Sequence, residues 1–159
     1  MRHQFLWDLK DPAATLADIL RTSDAGLGDV VIAHVDLESQ HVTGTHVMPP
    51  DTPASRPADD PDLDLSDRLR RIAEELAPER EWTGDRRGPI TGFLFTVVCR
   101  DGRVVDTAVE WRWMNAWWFS NQNTTAFTGD VYVVTPHGWT GILDTRAGLT
   151  PTLRQLRAC

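Results

Sequence analysis

Lysine is almost missing from this chain: of its sixteen basic residues only Lys10 is one, and the rest are arginines. With many Ala and Asp residues beside them, this fits a high-GC genome, which bears on origin and not on function. Basic charge is also short overall. Sixteen Lys and Arg against 23 Asp and Glu leave a formal net charge of −7, which argues against non-specific binding to a phosphate backbone, where clustered cations are needed. Arg86 and Arg87, and the later Arg146, Arg154 and Arg157, are local exceptions and read as solubilising surface charge. Cysteine is limited to Cys99 and Cys159, too few for a disulfide framework, and so points to a reducing compartment. No apolar run approaches the roughly 20 residues of a membrane span. The stretch Met1 to Asp8 lacks the apolar core of a signal peptide. The expected location is therefore the cytoplasm, with no membrane partner. There is no CxxC pair and no phosphate-cradling glycine loop, and Ser39 and Ser120 lack the setting of a nucleophile elbow. A hydrolytic triad or a nucleotide-dependent enzyme thus has no support.

What is present suits a single domain over residues 1–159. Asp11-Pro12 opens a helix in which Leu16, Ile19 and Leu20 make the stripe to be buried. Residues 29–37 and 42–48 alternate as a hairpin with one apolar and one wet face. In the simplest register His34, Asp36 and Glu38 share the wet face with His41, Thr43 and Thr45. The Pro- and Asp-rich stretch 49–66 reads as a mobile loop. Ser66 is the expected cap of a second helix over 67–76, stopped by Pro78. Residues 78–89 then form a polar connection interrupted by Trp82. Gly92 to Cys99 is a continuous run of strand formers, expected to be central and buried on both faces. Thr107-Ala108-Val109-Glu110 fits a capping box opening a third helix that runs to about Ser120. Residues 130–135 and 139–143 are further strands, joined by Pro136-His137-Gly138, and 148–159 is expected to be a loose tail. Together these elements predict an α/β fold, with a mixed sheet of about five strands flanked by three helices.

The order of elements, and the segment from Val97 to Glu110, resemble JAB/MPN domains, a group that includes RadC-type bacterial proteins. Their active segment reads His-x-His, seven residues, Ser, two residues, Asp, and runs from the central strand into the next helix. Laid on this chain, the spacing falls on Val97, Cys99, Thr107 and Glu110. The resemblance implies cytidine-deaminase-like layering. It also implies a zinc-dependent amide or isopeptide hydrolase with Cys99 and Glu110 as ligands, Thr107 near the oxyanion and Glu38 activating water. Val97 cannot ligate, so a third ligand would have to come from His34 or His41. The same residues have plain structural readings: a capping box for Thr107 and Glu110, and a small buried hydrophobe for Cys99.

Other candidates stand beside that segment. His34, Asp36, Glu38 and His41 could converge on a metal, or simply form the solvated face of a hairpin. On the third helix, Trp111, Met114 and Trp118 share one face while Trp113 and Trp117 share another, more indole than one buried stripe needs. Trp113 and Trp117 are the expected binding residues, with Arg112 stacking beside them. Asn121 to Thr125 ends the helix. His137 sits at a turn after a core strand, a common place for functional groups. The leading expectation is a JAB/MPN-like module without catalysis or cofactor that binds another protein or a peptide. A nucleic-acid partner conflicts with the acidic balance.

Overall fold

The computed structural model describes residues 9–48 and 62–153. In chain order they form α1 (Pro12–Ser23), β1 (Val30–Asp36), β2 (Val42–Met48), α2 (Leu63–Leu76), β3 (Trp82–Thr83), β4 (Arg86–Arg87), β5 (Gly92–Cys99), α3 (Ala108–Ser120), β6 (Ala126–Thr135), β7 (Gly138–Gly141) and β8 (Ala147–Gly148). A six-stranded mixed sheet has the order β2-β1-β5-β6-β7-β8, and β3 with β4 makes a separate small hairpin. The β5–β6 pair is parallel and the other neighbours in the sheet are antiparallel. A parallel pair needs a crossover connection, and α3 supplies it.

The expected α/β class is therefore observed, and the layers follow from the strand alternation. Val31, Ala33, Val35, Phe93, Phe95, Val97 and Cys99 pack on one face against Leu16, Ile19 and Leu20 of α1. Val30, Ile32, Leu94, Val98 and Val131 pack on the other face, against Leu69 and Ile72 of α2 and Trp113, Met114 and Trp117 of α3. Every residue of β5 is buried, as a strand covered by helices on both sides requires. The Asp11 carboxylate accepts from the Ala14 N–H and Pro12 takes the first turn of α1, as expected.

Several boundaries differ from the sequence reading. Helix α2 starts at Leu63, with Asp62 as its cap through a bond from the Leu65 N–H at 3.0 Å. Ser66 is not the cap: its buried hydroxyl donates to the Ala116 carbonyl at 2.8 Å and ties α2 to α3. Leu65 belongs to the core, and burying it favours starting the helix early. The expected mobile loop therefore loses residues 62–66, and its remainder, 49–61, lies outside the described residues. The wet hairpin face is also narrower than expected. β1 is buried on both faces over Val30 to Ala33 because α2 covers the second one.

The tail expected to be loose is held as far as Leu153. β8 pairs with β7, Trp139 donates its indole N–H to the Thr150 carbonyl at 2.7 Å, and Leu153 enters the core beside α1. The Thr150–Pro151 bond is cis. Residues 154–159, with Arg154, Arg157 and Cys159, lie outside the described part. Among the described residues no helix is long and apolar enough to cross a membrane.

Candidate functional site

The segment that resembles the JAB/MPN motif folds into a structural knot. Glu110 lies buried in the first turn of α3. Its Oε2 accepts from the Thr107 N–H at 2.6 Å and the Thr107 hydroxyl at 2.7 Å, which completes the capping box. Its Oε1 accepts from Arg100 Nε at 2.6 Å. Arg100 also donates to the carbonyls of Asp101, Arg103 and Val105. One carboxylate and one guanidinium thus tie the 100–107 connection to the helix. This is how a buried charge persists, with a partner for each polar atom.

Cys99 cannot join Glu110 at a metal. Its side chain belongs to the core on the α1 side of the sheet, with Val97, whereas α3 covers the opposite face. Burial pushes its thiol up to about 12, and the nearby Asp29 carboxylate adds to the effect. Cys99 thus sits as a small buried thiol among apolar side chains. In a Cys159→Ser background, a thiol reagent is expected to leave native Cys99 unmodified over hours and to react at once in denaturant. Mass spectrometry checks this, and rapid native labelling would overturn the inert assignment.

The hairpin residues do not approach this place either. Asp36 pairs with Gly92 and Val30 with Val98. Glu38, in the β1–β2 turn, is therefore at the far end of β5 from Cys99, roughly 20 Å away at the usual rise of a strand. Glu38, His34 and His41, the residues suggested for water activation and ligation, are therefore not brought together with Cys99. A bulge between His34 and Val35 also changes the register. His34 lies opposite Gly44, Ile32 opposite His46 and Ala33 opposite Thr45, so His46 takes the place of Thr45 on that face.

His34 itself occupies a made niche. Its Nδ1 hydrogen-bonds the Thr43 hydroxyl, while its buried Nε2 has no partner and sits against Gly92, where a Cβ would collide with the ring. Burial lowers its pKa, opposed by the Asp36 carboxylate. Asp36 is committed to the turn, accepting from the Glu38 and Ser39 N–H groups. Among the described residues no three His, Cys, Asp or Glu side chains gather closely enough to hold a metal ion.

The tryptophan helix reverses the expected assignment. Trp113 and Trp117, expected to bind, are core residues. Trp117 donates its indole N–H to the Thr96 hydroxyl at 2.7 Å. The exposed rings are Trp111, Trp118 and Phe119, at 38%, 63% and 48% of their full area. The Trp111 indole is steadied by Asp106 at 2.9 Å. Arg112 does not stack on these rings. It is half-buried, and its Nε and Nη1 are shielded from solvent without a hydrogen-bond partner. The cation–π pair among the described residues is Arg87 over Trp82 at 4.8 Å, on the β3–β4 hairpin.

At the foot of α3, Gln122 bonds Thr124 and the Ala126 carbonyl, and Asn121 adopts the left-handed cap, so this run ends the helix as expected. His137 is exposed in the β6–β7 turn, where its N–H bonds the Thr135 hydroxyl at 3.0 Å.

One polar cluster was missed in the sequence. Asp130 is buried in β6 and accepts from the N–H groups of Val131, Leu143 and Asp144. Burial raises its pKa in spite of these donors, and the neighbouring Asp144 carboxylate adds to the rise. Burial also acts to raise Asp144. Two hydrogen bonds from the Arg146 side chain, the Arg146 N–H and the Tyr132 hydroxyl together outweigh it and hold Asp144 low. Arg146 reaches on to the Leu9 carbonyl at 2.8 Å. Gly141 leaves room for the cluster, since a Cβ there would lie 2.5 Å from Asp130 Oδ2. An acid opening an apolar strand was the available signal. Its partners lie 13 and 14 residues away in sequence, beyond the reach of any periodicity.

The class these features define is a three-layer domain, with a mixed sheet between α1 on one side and α2 with α3 on the other. No family model, curated protein or solved structure matches the chain.

Proposed function

We propose that this chain is a JAB/MPN-like module without a catalytic centre, which binds another protein or a peptide through the outward face of α3 in the cytoplasm. The observation that carries this reading is the exposure of Trp111, Trp118 and Phe119 on a helix whose opposite face already fills the core. A helix covering a sheet needs one apolar face; this one has two. Large aromatic rings held on a rigid helix are what binding hot spots are made of. The hydrolase alternative has less support, because the Cys99 and Glu110 side chains serve opposite faces of the sheet and Thr107 is committed to its cap.

Selection of a displayed random-peptide library on the immobilised chain tests the reading. Enriched peptides are expected to lose at least about tenfold in affinity on Trp118→Ser, the size of a hot-spot loss. Absence of enrichment, or binding indifferent to that substitution, would sink it.

A further inference from the structure

We propose that His34 is an acid-released clasp at the β1–β2 end of the sheet. Neutral, its ring sits between the hairpin and the start of β5; on taking up a second proton, the ring leaves and that end loosens. The niche accepts only one of the two protonation states. The Thr43 hydroxyl donates to the His34 carbonyl at 3.3 Å, so its oxygen receives the ring Nδ1–H. Nδ1 therefore carries the one ring proton and Nε2 is bare. Nε2 is closed off from solvent without a partner and lies against Gly92, where a Cβ would collide with it. A bare nitrogen is tolerated there. An imidazolium donates from both nitrogens, and its second N–H would be buried with no acceptor.

Few charges face the ring. Asp36 on the same strand favours the proton, but its carboxylate is bound by the Glu38 and Ser39 N–H groups of the turn. Glu38 and His41, in that turn, are exposed. On β2, His46 is engaged with Glu75 of α2 at 3.5 Å. β5 sets Leu94 opposite His34, and its titratable residue, Cys99, lies at the other end of the strand. Burial outweighs Asp36 and holds His34 below the ordinary imidazole range.

The closed form thus binds the proton less tightly than the open form. Closure is complete above the ordinary imidazole value of about 6.5 and weakens as pH falls from there toward the lowered native value. Within that window each pH unit raises the open fraction by up to about tenfold. The clasp lies where the hairpin joins β5: the Asp36 and Leu37 N–H groups donate there to the His41 and Thr91 carbonyls, each at 2.9 Å.

Hydrogen exchange of the Asp36 and Leu37 amides in the full chain, corrected for intrinsic rate, tests the clasp between about pH 7.5 and pH 5. Their protection is expected to fall with pH by up to about tenfold per unit. His34→Asn should abolish that fall, since its amide can still donate to Thr43 but takes up no proton. His46→Asn should keep it. NMR titration of the parent reads the same ring without any substitution. His34 should hold the Nδ1–H tautomer at neutral pH and titrate below the ordinary value. Protection that falls equally in parent and His34→Asn, a fall abolished by His46→Asn, or a His34 ring that titrates at or above the ordinary value overturns the proposal.

Discussion

Glu110→Ala is expected to cost the fold about 3–5 kcal/mol, the usual loss when one partner of a buried ion pair is removed. The Glu110 side chain is wholly buried and that of Arg100 is 20% exposed. The substitution therefore leaves a guanidinium facing the place its carboxylate held. It also removes the acceptor for the Thr107 N–H and hydroxyl. For a chain of this size the melting temperature should fall by roughly 10–15 °C. The fall should be the same with and without EDTA, because the role is structural. Glu110→Gln keeps an acceptor and should lie between. Thermal unfolding of the three proteins is the check; an unchanged melt for Glu110→Ala would mean that the knot does not hold the connection.

The second large effect separates the tryptophans. Trp117→Ala is expected to cost about 3–5 kcal/mol, as truncation of a core aromatic does, and it leaves the Thr96 hydroxyl without its indole donor. Trp118→Ala, one residue further on, should stay within about 0.5 kcal/mol, as surface changes usually do. Urea unfolding midpoints measured side by side decide this. If both cost the same, the outward face belongs to the core and the binding reading loses its surface. The contrast also has a practical side. Lost binding in Trp113 or Trp117 variants would report unfolding, whereas at Trp118 it would report contact.

The elements were legible because periodicity and capping are local. The α1 cap at Asp11, the wholly apolar run of β5 and the Thr107–Glu110 box could each be read within a few residues, and each is present. What failed was decided by tertiary partners. Strand parity sends Cys99 toward α1 and away from α3, but a linear motif counts residues and not faces. Both indole stripes of α3 fit a buried face equally well on a helical wheel. Which one turned inward depended on where Thr96 and Ser66 offered contacts. The hairpin register slipped at a bulge, which has no composition of its own. The Asp130 cluster draws on β6, the segment after β7 and the carbonyl of Leu9, so no window of the sequence contains it.

That last cluster also orders events on the ribosome, where a chain emerges N-terminal end first. Asp130 leaves the tunnel before Leu143 and Asp144, two of the residues whose N–H groups satisfy it in the finished sheet. Until they arrive, its carboxylate is better served by water than by a buried strand. β6 is therefore expected to dock fully only once residues beyond β7 are available, and chains stopped before residue 143 should leave the β6 amides unprotected from hydrogen exchange.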